Sequence, residues 1–218
     1  MKEVPNLYIL CPVKDGMKYL NRYLSSLAPL GCSIIFLDQN STDGTTEYLK
    51  ELSSNTPNIH YFKNKSKKWD CGYNTSTLLE LCKNFNPEWV MVLDVDETIH
   101  ELHRIPALCE GSEKERIYSF SRLSMAGEDR YWPGMLVVER FFRYHPSFTI
   151  SLRGLHRGCK PDQIGRAVHS GIQIHHWNMI TKEDRRDRYE KFMEADPDLY
   201  WQPSYDNLLN VPSFTLPL

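Results

Sequence analysis

Nothing in this chain constrains its fold as tightly as the run WVMVLDVDET at residues 89–98. Val90, Met91, Val92 and Leu93 follow one another without polar alternation, the pattern of a strand buried on both faces in a parallel sheet. Asp94, Asp96 and Glu97 then stand at its carboxyl end, where open α/β sheets hold their ligands. A turn that merely ended a strand would use one Asp with Gly, Asn or Ser. Three carboxylates within four positions repel one another unless a cation or a donor-rich ligand neutralises them. Two Asp one residue apart, a DXD motif, can share a hard divalent cation, or one can hold the metal while the other binds substrate.

The residues before this run alternate strand and helix. Leu7 to Val13 reads as a first strand, and Met17, Leu20, Tyr23, Leu24 and Leu27 recur at helical spacing. Ile34 to Leu37 is a second strand, Tyr48, Leu49 and Leu52 give a second helix, and Ile59 to Phe62 is a third strand. Leu78 to Phe85 mark a third helix leading into the acidic strand. This rhythm means βαβ units, hence an α/β fold with a mostly parallel sheet flanked by helices. The second half is mixed β: Ile117 to Leu123, Met135 to Tyr144 and Gly171 to His175 are strand-like, with 127–134 read as a loop. Thr181 to Ala195 is a charged helix whose Arg and Lys run reads as a solvated face, and the Pro-rich tail reads as extended chain. At 218 residues this is one domain, 1–218, with a first half (1–100) and a second half (101–218).

A second motif, FLDQNSTDGT at 36–45, ends a strand and opens a helix. Asp38 can accept bonds from a base or ribose, and the polar turn exposes backbone amides at a helix N-terminus; a plain helix cap is the competing account. A calcium loop is excluded, because Gly44 falls at loop position seven and Leu49 at position twelve.

Composition removes other classes. A net charge of −2 argues against a nucleic-acid partner held by bulk electrostatics. No apolar run reaches the ~18 residues of a membrane span, and the N-terminal one is too short for a secretory signal. The six cysteines show no CxxC pairing, so reduced thiols and a cytoplasmic location are expected, with peripheral membrane association left open. Sequons occur at Asn40, Asn64 and Asn74, and a glycan at Asn40 would obstruct the acidic site.

The order CPVKD, LDQNSTDGT, WVMVLDVDE resembles the family 2 glycosyltransferases of the GT-A fold. RFFRYHPSFTISLRGLHRG and then IQIHHWN are similar to the compact lipopolysaccharide-core branch, with its "R-x-F-R", "G-x-x-H-E" and "H-Y-G" segments. A weaker resemblance is to the small glycosyltransferases of large algal viruses. The resemblance implies a nucleotide-sugar donor, commonly UDP-linked, a glycan, lipid or protein acceptor, and Mn²⁺ or Mg²⁺. The first half would then bind the nucleotide-sugar and the second would serve the acceptor. Carried over by position, Pro12 and Asp15 would line the base pocket and Asp38 would hold the uracil or ribose. Asp94 would contact the ribose or the metal, Asp96 would ligate the metal, and His176 or His175 would add a ligand.

Two departures stand out. The branch's "H-E" reads His156-Arg157 here, so an expected acceptor-side carboxylate is missing, and the processive Q-x-x-R-W signature is absent. A general base must then come from elsewhere. Asp129 is favoured, with Glu128 beside it and Glu139 and Asp162 as further candidates, while Trp132 offers a face for sugar stacking. Two other classes compete. VLDVDET fits the haloacid-dehalogenase-type phosphatase motif with Asp94 as nucleophile, although that motif normally lies on the first strand. A non-catalytic nucleotide-sugar-binding module is the third reading.

Overall fold

Strand β1 (Leu7–Val13) lies between β2 (Ser33–Asp38) and β4 (Trp89–Val92), parallel to both, and β3 (Ile59–Lys63) is parallel outside β2. Helices α1 (Met17–Leu27), α2 (Thr45–Asn55) and α3 (Cys71–Cys82) make the crossovers. The computed structural model describes residues 6–64, 66, 69–110, 117–150, 160–163, 165–200 and 202–218. Ile9, Leu10, Val90, Met91 and Val92 are fully buried, as uninterrupted apolar strands covered on both faces must be. Each such side chain contributes about 1.5–3 kcal/mol of hydrophobic stabilisation.

The second half adds β5 (Glu97–Ile99), the short α4 (Ile105–Leu108), β6 (Ile117–Met125), β7 (Arg130–Arg143), β8 (Val168–His176), α5 (Lys182–Ala195) and β9 (Leu216–Pro217). The sheet runs β3-β2-β1-β4-β7-β6-β8-β5, with β9 on β7. Pairing turns antiparallel at β4–β7, β7–β6 and β8–β5, while β6–β8 is parallel. Only residues 93–96 separate β4 from β5, yet three strands lie between them in the sheet. A fully extended link of that length reaches about 17 Å, and four flat strand spacings need about 19 Å. The sheet therefore curls, and the acidic turn bridges its two ends.

Several boundaries differ from the sequence reading. α3 starts at Cys71, because Asp70 caps it by accepting from the Tyr73 amide, and its polar first turns hid it. β7 starts at Arg130, so most of the expected loop at 127–134 is strand; register shifts against β6 and a left-handed Gly134 (φ 111°) blur its pattern. The tail is tied down where Leu216 and Pro217 pair with β7. The cap of α5 is the one its sequence announces: Thr181 and Asp184 form a capping box.

Two of the sequons are structural. Asn74, fully buried, donates to Gln39 Oε1 at 2.7 Å and accepts from Asn64 Nδ2 at 2.7 Å. This amide chain ties α3 to the segments that follow β2 and β3, and it leaves Asn64 and Asn74 out of reach of a glycosylating enzyme in the folded state. Asn74→Ala removes one buried bond from each neighbour and is expected to cost about 1–3 kcal/mol, the scale of a buried polar group deprived of a bond. A lowered urea midpoint at unchanged m-value is the corresponding measurement.

Candidate active site

The strand order reverses direction between β1 and β4, and the carboxyl ends of these strands open onto a cleft of about 1000 Å³. Pro12, Lys14 and Asp15 border it from β1, and Asp94 and Asp96 border it from β4. Val95, between them, is buried and packs against Gly16. A Cβ on Gly16 would come within 2.7 Å of Val13 and 3.0 Å of Val95, so the absence of a side chain there lets the turn seat itself.

The acidic turn is closed by its own ends. The Glu97 amide donates to the Asp94 carbonyl at 2.9 Å, and the Asp94 amide donates to Glu97 Oε2 at 3.1 Å. Glu97 is wholly buried and pairs with Arg140 at 3.1 Å and Arg122 at 3.3 Å. Burial, opposed by Arg140 and reinforced by Asp94, holds its carboxyl above the ordinary range. Arg140 also reaches Asp94 at 3.1 Å. Asp96 accepts from Asn178 at 2.6 Å and lies 3.5 Å from His176 Nε2. Burial would raise the Asp96 carboxyl, but His176, Arg188 and Lys191 outweigh it and hold it below the usual carboxylate range. Burial drives His176 down to about 4 against the opposing pull of Asp96. The repulsion implied by three adjacent acids is thus relieved by guanidinium groups from β6, β7 and α5.

Asp38 is not among the residues that border the cleft. It is fully buried and accepts from the Ser41 amide (3.1 Å), Ser41 Oγ (2.6 Å), Thr46 Oγ1 (2.5 Å) and Tyr61 (3.2 Å). Four donors match the roughly four lone-pair sites of a carboxylate. The rest of the turn serves α1, whose N-cap is the side-chain-less Gly16. Ser41, Thr45 and Asp43 accept from the amides of Asp15, Gly16 and Met17. Asp15 in return accepts from the Thr42 amide at 2.7 Å. The turn is therefore a cap that acts across strands.

The remaining expected residues divide. His176 borders the cleft, whereas His175 is stacked on His100 at 4.9 Å and burial takes it down to about 4. Glu128 and Asp129 are exposed at the β6–β7 turn and do not border the cleft; Glu128 is paired with Arg22 at 2.5 Å. Trp132 packs inward and donates to the Met179 carbonyl. Asp162 is exposed and away from the cleft, but Glu139 borders it, its side chain 33% exposed and 3.9 Å from Lys160. His156 and Arg157 fall outside the described residues. Sequence reasoning gave no role to Arg122, Arg140, Asn178, Arg188 and Lys191; only Arg140, which opens the RFFR segment, and Asn178, which closes IQIHHWN, carried a signal.

Among the described residues no group of three or more His, Cys, Asp or Glu is arranged to hold a metal ion. Mg²⁺-like ions are commonly held by one or two carboxylates plus substrate phosphates. Asp96, with His176 at 3.5 Å and Asp94 on the same turn, fits that mode and does not form a self-sufficient cage.

Residues 8–182 match the profile of glycosyl transferase family 2, and the chain belongs to that family. It is a GT-A-fold glycosyltransferase domain. No curated protein is significantly similar to it in sequence. The inositol-1-phosphate CTP transferase from T. maritima is 11% identical with a TM-score of 0.50, over 90% of this chain and 98% of that one. HddC from Yersinia pseudotuberculosis, complexed with GMP-PN, is 12% identical with a TM-score of 0.48, over 85% and 99%. S. aureus TarS 1-349 is 13% identical with a TM-score of 0.46, over 94% and 69%. At these identities the likeness to the T. maritima enzyme is one of fold. Family membership removes the phosphatase reading of Asp94, which also placed the acidic strand first where it is fourth in the chain.

Arg140 holds two carboxylates, one of them wholly buried. Arg140→Met should therefore destabilise the fold by about 3–5 kcal/mol, the scale of a buried pair broken from one side. Adding Glu97→Gln should restore part of that loss in a chemical denaturation series.

Proposed function

We propose that the chain transfers a sugar from a nucleoside diphosphate donor, UDP-linked as the family resemblance suggests, to a hydroxyl of a glycan, lipid or protein acceptor. One observation carries this reading: Asp94 and Asp96 border the cleft above the β1/β4 switch in a family 2 chain. Transfer breaks the bond from sugar C1 to the diphosphate oxygen and joins C1 to the acceptor oxygen. The departing diphosphate gains negative charge, and the acceptor hydroxyl loses a proton that a base must take.

Pro12 and Asp15 border the end of the cleft that we assign to the nucleoside. Mn²⁺ or Mg²⁺, held by Asp96 with Asp94 and His176 as further ligands, would act there as a Lewis acid on the leaving group. We assign the base to Glu139, in place of Asp129 and Glu128, because its half-buried carboxylate borders the cleft, with Lys160 3.9 Å away. Asp38 acts indirectly, by shaping the turn that caps α1.

Two measurements test this. Asp96→Asn should abolish the Mn²⁺-dependent part of UDP binding while the protein melts as before, and Asp94→Asn should weaken it less. Identical Mn²⁺ dependence in the Asp96 variant would remove the metal assignment. Glu139→Gln should lower the rate of sugar transfer about a hundredfold or more, the usual scale for loss of a general base, with donor affinity kept. Donor binding with neither transfer nor hydrolysis in the wild type would favour a non-catalytic binding module.

A further inference from the structure

Strand β7 is paired along its length on one side and only at its ends on the other. Tyr131 pairs both with Met125 of β6 and with Leu216 of β9, and Phe141 and Phe142 pair both with β6 and with β4. A strand has two edges, so β9 and β4 lie together on the edge that β6 does not use. Between them, from Trp132 to Glu139, no strand among the described residues pairs with that edge. Met135, Leu136 and Val137 occupy the middle of this gap and are 57%, 56% and 62% exposed. Successive side chains of a strand point to opposite faces, so the edge is apolar on both. Folded proteins usually blunt a free edge with charge, proline or a covering element. Pro133 stands at one end of the gap and leaves the three apolar residues after it uncovered.

The geometry limits what can cover them. β9 runs antiparallel to β7 with Leu216 opposite Tyr131, so the chain's own tail could reach Met135 only by setting Pro212 against it. Proline has no amide to give the edge. A second copy cannot pair edge to edge, because β4 and β9 of each copy stand in the space that the other's β7 would need. A hydrocarbon chain would bury the N–H and C=O groups of the edge without partners. A short extended polypeptide meets both demands, since its main chain pairs with the edge while alternate side chains pack on the apolar faces. The open stretch from Gly134 to Val138 has room for about five residues at about 3.4 Å each.

We propose that the acceptor is an extended polypeptide that adds a strand to the β7 edge between β9 and β4, bringing a serine or threonine hydroxyl to Glu139. The inference rests on the transferase reading above and names its acceptor. Val137, Val138 and Glu139 belong both to this part of β7 and to the border of the cleft, so a strand laid along the edge leads to the proposed base. The hydroxyl oxygen would form its bond to sugar C1 as the bond from C1 to the diphosphate breaks, and its proton would pass to the Glu139 carboxylate.

Calorimetric titration of the full chain tests the site, with the capped peptide acetyl-Thr-Val-Ser-Val-Thr-amide, its fully N-methylated counterpart and octyl glucoside as separate probes. The peptide should bind, and the N-methylated form, which keeps the side chains but has no amide donors, should not. Met135→Lys and Leu136→Thr should each weaken the peptide about fivefold or more, the scale of one apolar cross-strand pair, while melting and UDP affinity stay as in the wild type. No peptide binding by the wild type, or equal binding of the two peptides, overturns the inference. Octyl glucoside binding in place of the peptide overturns it in favour of a lipid acceptor. Transfer is then read by mass after incubation with Mn²⁺ and a mixture of UDP-sugars: the serine should gain one sugar, about fivefold more slowly in Met135→Lys. Sugar released to water beside an unlabelled peptide overturns the acceptor assignment and leaves the donor reading intact. Neither labelled peptide nor free sugar overturns the donor reading, and the inference falls with it.

Discussion

Arg140 and Arg122 make the acidic turn possible. Three carboxylates follow a strand with no polar residue to dilute them, and one of these, Glu97, is removed from water altogether. A buried carboxylate without a partner is among the costliest groups a fold can carry. Two guanidinium groups, on β6 and β7, satisfy it, and Arg140 extends to Asp94. Because β7 is also the strand that pairs with β4, the ion cluster and the sheet junction are one construction. Glu97, bonded to the Asp94 amide, sets the shape of the turn from which Asp94 and Asp96 face the cleft.

The opposite wall depends on a different economy. The helix α1 begins at a glycine that cannot cap it, yet the same glycine is needed because Val95 packs where its side chain would be. The turn after β2 supplies the missing caps through Ser41, Asp43 and Thr45. Asp38, from beneath, ties that turn to α2 and β3 through four accepted bonds. The motif thus contributes geometry: it holds the β1 turn, and so Pro12 and Asp15, at the edge of the cleft. The amide chain of Gln39, Asn74 and Asn64 binds α3 to the same region.

Function gathers where these parts meet, at the reversal of strand order between β1 and β4. The curl of the sheet brings β6 and β8 over that point, and α5 follows β8 directly to close the cleft. Asp94 and Asp96 reach the site from a single turn, and the guanidinium groups nearest to that turn come from β6, β7 and α5.

The sequence by itself determined the first four strands and their helices, the capped start of α5, and the pair Asp94 and Asp96, because each of these is written in local period or spacing. It could not show that β7 runs through an apparent loop, since bulges and Gly134 break the alternation that marks a strand. Nor could it sort the acids. Asp129, Glu128 and Glu139 look alike in one dimension, and only the pairing of β7 with β4 and β6 carries Glu139 to the cleft and leaves the other two at a solvent-facing turn. The same holds for the basic residues of α5, whose pattern matches an exposed helix until β8 delivers it to the site. Local elements depend on neighbours a few residues apart, but which charge meets which depends on contacts across tens of residues. Arg140 and Glu97 are 43 positions apart, and only the folded chain joins them.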